Sequence, residues 1–351
     1  MSTPRHRWSP EEAQAWYRQR PWPLGCNYIP ATAVNQLEMW QEDTFDPVTI
    51  ERELGWAADL GFNAVRVFLH DLLWTHDKAG FIERIDRFLS LAHGLHISTL
   101  FVLFDGVWDP FPVYGPQRPP RPGVHNSGWV QSPGAELLSD PGRHGELEGY
   151  IGGVISRFRD DGRILGWDLF NEPENPNIAS YRDRELPGKA ALAAALLAKT
   201  FRWARAARPA QPLTAGVWMG ALDATRISPI NRLMLEESDV ISFHSYYTAD
   251  LVRARIQQLQ AYGRPVLLTE YLARETGSTF ETILPLAKEY RVGAFNWGLV
   301  SGKTQTIYPW DSWFKECAAP EPWFHDILTA DGTPYRSEEA AFIQRIARDP
   351  A

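Results

Sequence analysis

The chain has 351 residues, of which 44% are hydrophobic and 22% charged, and its 35 basic and 43 acidic residues give a net charge of −8. This composition excludes collagen, coiled coil and a disordered chain, and the acidic balance argues against nucleic acid as a partner. No run of about 20 apolar residues is present, so we predict no membrane span. Cys26 and Cys317 are too few for a disulfide framework or a zinc cluster. The N-terminus has no apolar signal-peptide core, and we expect a cytoplasmic protein.

A regular alternation of strands and helices follows an N-terminal helix signal, in which Ser9 is a candidate N-cap and Pro10 the first helical residue. Short apolar runs predict eight strands, at 24–29, 63–70, 97–105, 164–172, 213–218, 240–247, 266–271 and 294–300. Helical patterns lie at 48–60, 81–93, 144–159, 188–207, 228–237, 250–262, 281–291 and 336–347. Eight buried strands separated by helices predict an α/β protein, a single (β/α)₈ TIM barrel.

The chain shows no linker, repeat or low-complexity segment that would divide it. Its length alone allows about two domains, but α/β barrels run larger as one. We therefore predict one catalytic domain over 1–351, with an N-terminal helix and lead-in at 1–23, the barrel at 24–335 and a C-terminal helix at 336–351.

Two long irregular segments follow predicted strands, 106–143 after the third and about 301–335 after the eighth, and both are rich in aromatic residues. Loops of this length are usually functional, and both follow strand ends at the face where barrels build active sites. A second interpretation is that the two loops pack on each other as a lid, which also permits contact with a ligand.

Two predicted strands end in a glutamate: the fourth ends with Asn-Glu-Pro at 171–173, and the seventh with Thr-Glu-Tyr at 269–271. In a barrel these ends meet at one face, so we expect Glu172 and Glu270 to face each other. Hydrolysis of a glycosidic bond needs such a pair, because one acid protonates the leaving oxygen while the other attacks the sugar or activates water. Either glutamate alone would fit a helix cap or an ion pair equally well.

The second strand carries a charge, Arg66, within an apolar run. A buried charge needs a partner, so we predict that Arg66 faces the barrel interior and bonds a carboxylate, preferably Glu270 and otherwise Asp168. The alternative is an arginine whose head reaches water. If Glu172 points inward, strand alternation places Phe170 and Asp168 on its face.

Further strand-end residues suit a sugar site. By alternation His244 and Tyr246 share a face. There Tyr246 would donate a hydrogen bond to the glutamate that attacks the sugar, and His244 would orient the glutamate that protonates the leaving oxygen. Trp297 offers a flat surface for stacking on a sugar ring. Other candidates for substrate contact or support, of which the first two fit a structural role equally well, are His70, Asp71, Asp105, Trp108, Trp218 and Trp310.

Taken together and in strand order, these motifs resemble the strand-end residues of clan A glycoside hydrolases. They are most similar to those of glycoside hydrolase family 5 and the cellulase-like glycosyl hydrolases. The resemblance runs along nearly the whole chain. The segments that carry it are Asn63-Ala64-Val65-Arg66, Asn171-Glu172-Pro173, His244-Ser245-Tyr246, Thr269-Glu270 and Trp297.

The resemblance implies roles for individual residues: Glu172 is the acid/base, Asn171 binds the sugar 2-hydroxyl, and Glu270 is the nucleophile, supported by Arg66 and Tyr246. It also implies a retaining, β-specific enzyme with two carboxyl groups about 5–5.5 Å apart and no metal or organic cofactor. The third strand end lacks the histidine that family 5 enzymes often carry there, which leaves the substrate open.

Three other readings compete. A metal-dependent barrel hydrolase would usually need His-x-His near the first strand end, which reads Gly-Cys-Asn-Tyr at 25–28. A non-catalytic carbohydrate-binding barrel would not need the glutamate pair. A transglycosylase of the same fold shares the covalent intermediate and stays open.

The substrate class is a β-linked carbohydrate with gluco-, manno-, xylo- or galacto-configuration. We expect a short oligosaccharide or a small glycoside, with the loops 106–143 and 301–335 closing one end of the groove into a pocket. The sequence does not indicate an oligomeric state.

Overall fold

The computed structural model of the protein describes residues 3–223 and 225–349. Its strands are β1 (Leu24–Asn27), β2 (Ala64–Phe68), β3 (Ser98–Val102), β4 (Ile164–Asp168), β5 (Leu213–Thr214), β6 (Ile241–His244), β7 (Val266–Tyr271) and β8 (Gly293–Trp297). They form one parallel sheet in the order β5-β4-β3-β2-β1-β8-β7-β6. A parallel bridge from Val217, just after β5, to Phe243 of β6 joins the two ends of this order. The predicted (β/α)₈ barrel is confirmed.

The helices lie between and around these strands. They are α1 (Pro10–Arg18), α2 (Gln36–Trp40), α3 (Pro47–Asp59), α4 (Asp71–Gly94), α5 (Ala135–Leu138), α6 (His144–Phe158), α7 (Lys189–Ala207), α8 (Pro229–Glu237), α9 (Ala249–Gln260), α10 (Phe280–Glu289) and α11 (Ser337–Arg348). Within the described part of the chain, none of them combines the length and apolar character that crossing a membrane requires.

One helix differs clearly from its predicted range: α4 begins at Asp71, well before 81. The backbone leaves helical geometry at Asp77 (φ −147°, ψ 61°), so the element is two helical pieces joined by a kink. The first piece begins where His70 Nδ1 accepts a hydrogen bond from the Leu72 amide. This break in the helical period explains why the pattern predicts only the second piece.

The strands are continuous apolar runs because both of their faces are covered, by the barrel interior on one side and by helices on the other. All five residues of β2 and all six of β7 are buried. Strand register places three site residues at the same height along the barrel axis, since Asn27 of β1 pairs with Arg66 of β2 and with Trp297 of β8. These three residues therefore meet near the carboxyl ends of the strands.

The opposite end of the barrel is covered by α1. A capping box starts this helix, with the Ser9 hydroxyl accepting from the Glu12 amide and the Glu12 carboxylate accepting from the Ser9 amide. Trp16 and Tyr17 of α1 then pack with residues of the lowest interior layer, which are Ala64, Leu100, Leu165, Val240, Leu267 and Phe295. The amino ends of the strands are thereby sealed.

The long loops after β3 and β8 pack on each other. The Asn126 amide donates to the Thr304 carbonyl over 2.8 Å, and the His125 amide donates to Ser312 Oγ over 2.9 Å. Trp313 Nε1 returns a hydrogen bond of 2.9 Å to the His125 carbonyl. The two loops therefore form one structure above the carboxyl ends of the strands, as the lid interpretation predicts.

Candidate active site

A cavity of about 550 Å³ lies at the carboxyl ends of the strands, beside the two packed loops. Nine predicted site residues line it: Glu172, Glu270, Asn171, His244, Tyr246, Trp108, Trp218, Trp297 and Trp310. Strand ends supply Glu270 and His244, and the two long loops supply Trp108, Trp129 and Trp310.

Glu172 reaches the cavity from the turn that follows β4. The backbone of Glu172 is in the left-handed region, with φ +40°, which residues other than glycine rarely adopt. Gly106 makes room for this turn, because a Cβ there would lie 2.2 Å from the Glu172 carbonyl oxygen. Asn175 Nδ2 donates to Glu172 Oε2 over 2.6 Å, and His244 Nδ1 lies 2.8 Å from Oε1.

Glu270 enters from β7 through an irregularity in the sheet. Phe243 pairs with Leu268 whereas His244 pairs with Glu270, so Thr269 is an additional residue. Leu267 faces the barrel interior, and simple alternation would turn Glu270 away from it. The extra residue returns the carboxylate to the cavity, which is a common function of bulges near active sites.

Arg66 lies below the cavity floor and is fully buried. Nη1 donates to Glu270 Oε1 over 2.9 Å and to Asn27 Oδ1 over 2.8 Å. Nε and Nη2 donate to Asp168 Oδ2 over 3.0 and 2.8 Å, and Nη2 also donates to Asn171 Oδ1 over 2.7 Å. Both expected carboxylate partners are thus bound at once, and the guanidinium has no spare donor.

The two glutamates share one small volume but have different partners. An oxygen of Glu172 and an oxygen of Glu270 lie within 4.8 Å of each other. Glu270 accepts from the Arg66 cation and, over 2.7 Å, from the Tyr246 hydroxyl. Glu172 accepts from the neutral amide of Asn175. The direct ion pair therefore favours a carboxylate at Glu270.

Burial raises the pKa of both acids. The pKa of Glu172 rises to about 7, opposed by the hydrogen bond from Asn175 and by the charge of Arg66. The pKa of Glu270 is raised by burial and by the charge of Glu172, and the Arg66 cation and the hydrogen bond from Tyr246 oppose that rise. Burial lowers the pKa of His244 to about 4, so its imidazole is neutral at pH 7. Near neutral pH the two glutamates can therefore share one proton. Glu172 holds it, because the ion pair with Arg66 favours the ionised form of Glu270.

The structure corrects three predicted substrate contacts, which lie outside the cavity lining. His70 is fully buried and caps α4. Asp71 accepts a hydrogen bond of 2.7 Å from the Ser132 hydroxyl. Asp105 accepts from Trp129 Nε1 over 2.6 Å and from Asn171 Nδ2 over 2.9 Å. Their carboxylates and imidazole bond to protein groups, and Asp105, which bonds Asn171, has the supporting position that was the other prediction for it.

The prediction that Phe170 shares the inward face is also wrong. Its ring centroid lies 5.5 Å from that of Phe104, which in turn lies 5.7 Å from that of Tyr150 on α6. Alternation ends with β4 at Asp168, and the turn that follows sends Phe170 toward the helices.

Sequence reasoning missed several groups in and around the cavity. Asn175, which bonds Glu172, stands only three positions after it in a turn that no motif marks. His125 and His325 come from the two long loops, and their rings lie 5.3 Å apart in the lining. Each has Nδ1 bonded to a backbone carbonyl, of Tyr308 and Leu272 respectively.

A divalent cation would find three ligand atoms here, since Glu172, His244 and Glu270 each offer one within 4.8 Å of the others. Each of these groups already has a protein partner, and Arg66 brings a positive charge to 2.9 Å from Glu270. The arrangement suits proton transfer and nucleophilic attack better than metal binding.

The fold has close counterparts among solved structures. A GH5_18 protein from Streptomyces cattleya in complex with GlcNAc superposes with a TM-score of 0.64 at 17% identity, over 94% of this chain and 80% of that chain. An exo-β-1,4-mannosidase from an Opitutaceae bacterium gives 0.60 at 19% identity, over 92% and 59%. An endo-1,4-β-D-mannanase from Thermotoga petrophila gives 0.57 at 14%, over 93% and 99%.

No protein-family model matches the sequence, and no curated protein matches it. The structural likeness shows that the chain has the barrel fold of the clan A, family 5 glycoside hydrolases.

Proposed function

We propose that the protein is a retaining β-glycoside hydrolase acting on short β-linked oligosaccharides or small glycosides. The observation that carries this proposal is the pair Glu172 and Glu270, whose oxygens approach within 4.8 Å while only Glu270 bonds directly to the buried Arg66. This distance joins single oxygens and supports the ~5–5.5 Å carboxyl separation of a retaining enzyme over the roughly 6.5–9.5 Å that an inverting enzyme needs to admit a water.

In the first step, Glu270 attacks the anomeric carbon as the bond to the leaving oxygen breaks, and Glu172 gives its proton to that oxygen. Arg66 and Tyr246 hold the two Glu270 oxygens through bonds of 2.9 and 2.7 Å. They therefore fix the direction of attack and stabilise the carboxylate until it forms the ester.

In the second step, water releases the sugar from Glu270, and Glu172 accepts the proton of that water. Ester formation removes the negative charge at Glu270, and loss of a neighbouring negative charge lowers the pKa of a carboxyl group. The pKa of Glu172 consequently falls after the first step, and the residue that acted as an acid becomes the base.

The shape of the cavity favours a small substrate. The loops after β3 and β8 bond to each other and place Trp108, Trp310, His125 and His325 in the lining, which supports a groove that these loops close at one end. Trp297 lies in the floor beside these loops and offers a stacking surface for the sugar. Solved structures with this fold include an exo-β-1,4-mannosidase and an endo-1,4-β-D-mannanase, which supports a β-linked sugar, with mannose as the first candidate.

The test is azide rescue with a panel of aryl β-glycosides. Glu172→Ala should lose activity and recover it with azide, giving a β-glycosyl azide, because azide replaces water on an intermediate that no longer has a base. The matched variant Glu270→Ala should give no β-azide. A rescued product of inverted, α-configuration from Glu172→Ala, or near wild-type turnover by Glu270→Ala, would overturn the proposal.

A further inference from the structure

The cavity has a covered side and an open side. Trp108 and Trp129, from the loop after β3, are 8% and 2% exposed on the covered side. On the open side, Ile178, Met219 and Tyr247 follow β4, β5 and β6 and are 60%, 41% and 59% exposed. In the described part of the chain, only eight large hydrophobic side chains are exposed. Three of the eight lie at this one cavity, and a cluster of exposed apolar side chains is typical of a binding site.

The position of Glu172 decides which part of a substrate meets the open side. An acid must lie within hydrogen-bond distance of the oxygen that it protonates, so the leaving group starts at Glu172. Ile178 belongs to the segment that continues from Glu172, and Met219 follows β5, the strand paired with β4. Trp297, the proposed stacking surface for the sugar, belongs to the covered side, because its ring centroid lies 5.9 Å from that of Trp129. The sugar under attack therefore lies at the covered side and its leaving group extends toward the open one.

Two hydrogen-bond donors on the open side, Asn177 Nδ2 and Thr276 Oγ1, already bond to protein groups. Asn177 Nδ2 donates to Glu185 over 2.6 Å and to the Gly106 carbonyl over 3.0 Å. Thr276 Oγ1 donates to the carbonyl oxygens of Tyr246 and Ala273. A sugar in this position would bring hydroxyls that need partners, whereas a hydrocarbon would bury the apolar surface that is now exposed.

From these contacts we propose that the leaving-group subsite is built for an alkyl or aryl aglycone, with Ile178, Met219 and Tyr247 as its contact surface. This inference rests on the proposed glycoside hydrolase activity and narrows its substrate class from short oligosaccharides or small glycosides to glycosides of apolar alcohols. The glycosidic bond cleaved is the one between the covered sugar and the apolar alcohol, and Glu172 supplies the proton of that alcohol.

A chain-length series tests the subsite without changing the chemistry. Methyl, butyl, hexyl and octyl β-glucosides and β-mannosides, kept below their micelle-forming concentrations, have nearly equal leaving groups. In the wild type, kcat/KM should rise with each methylene by up to about fourfold while the chain stays on the open side. The double variant Ile178→Ser/Met219→Ser should flatten the series when each kcat/KM is taken relative to the same variant's methyl glycoside. Val48→Ser, which removes an exposed apolar side chain from α3, is the matched control and should keep the slope.

The outcomes separate the two proposals. If 4-nitrophenyl glycosides are hydrolysed but the alkyl series is flat, or if disaccharides of the same sugar exceed the octyl glycoside in kcat/KM, the apolar subsite is refuted and the hydrolase activity stands. If no glycoside is hydrolysed, aryl glycosides included, the proposed function fails and this inference fails with it. A slope that the double variant loses and Val48→Ser retains supports the subsite.

Discussion

Asn175 bonds Glu172, the proposed acid/base, through one hydrogen bond, from Nδ2 to Oε2 over 2.6 Å, and Asn175→Ala removes it. The bond stabilises the ionised carboxylate and opposes the rise of the Glu172 pKa to about 7 that burial causes. A hydrogen bond to a charged group contributes about 1.5–3 kcal/mol, and one pKa unit corresponds to about 1.4 kcal/mol. Because Asn175 is half-buried, water can take part of its place, and we expect the pKa of Glu172 to rise by about one unit.

The direction of this pKa shift decides which limb of the pH–rate profile should move. Glu172 must be protonated to act on the leaving group, so its pKa is the basic limb of the kcat/KM profile. A limb that moves from about 7 to about 8 raises the protonated fraction at pH 8.5 about eightfold. The profile of an aryl β-glycoside, measured from pH 4 to 10, should therefore keep its acidic limb and extend on the basic side.

Tyr246→Phe is the matched contrast, because its hydroxyl donates to Glu270 and not to Glu172. Loss of that donor destabilises the Glu270 carboxylate, so the acidic limb should move to higher pH while the basic limb stays. If Asn175→Ala leaves the basic limb in place or moves it downward, Glu172 is not the group that titrates there, and its assignment as the acid is refuted.

Three further changes test other parts of the molecule. Gly106→Ala should lower kcat/KM by about 100-fold, because its Cβ would displace the Glu172 carbonyl by an ångström or more, whereas Gly152→Ala, with open space around its Cβ, should keep full activity. Arg66→Met should abolish turnover and lower the free energy of unfolding by about 3–5 kcal/mol, since two buried acids lose their cation; an active, stable variant would contradict the role given to it. Trp16→Ala should lower the free energy of unfolding, measured in urea, by about 3–5 kcal/mol and leave kcat of the folded enzyme unchanged.

The barrel was predictable because its strands are buried on both faces. Such strands are continuous apolar runs, and eight of them at regular spacing leave few alternatives. The pattern fails where the backbone leaves its period, as at Asp77, where a kink divides α4.

That Glu172 and Glu270 meet in one cavity was predictable from residue types at strand ends, but their orientation was not. Alternation from Leu267 would turn Glu270 out of the barrel, and the additional residue Thr269 reverses that direction. Alternation likewise fails after Asp168, where Phe170 turns toward the helices. A bulge depends on how two strands pair, and one strand's sequence does not contain that information.

Depth within the site is a second property that residue type does not reveal. Asp105 and Glu172 are both acids at or beyond strand ends, yet Asp105 bonds Trp129 and Asn171 while Glu172 lines the cavity. Asp105 fixes the side-chain amide of Asn171, whose Oδ1 in turn accepts from Arg66. The orientation of Arg66 below the cavity therefore depends on a carboxylate that does not line the cavity. His125 shows the same limit from the loop side, because its place in the lining comes from bonds to Tyr308 and Ser312 in the other loop. A contact between segments so far apart in the chain has no periodic signal, and only the packed loops create it.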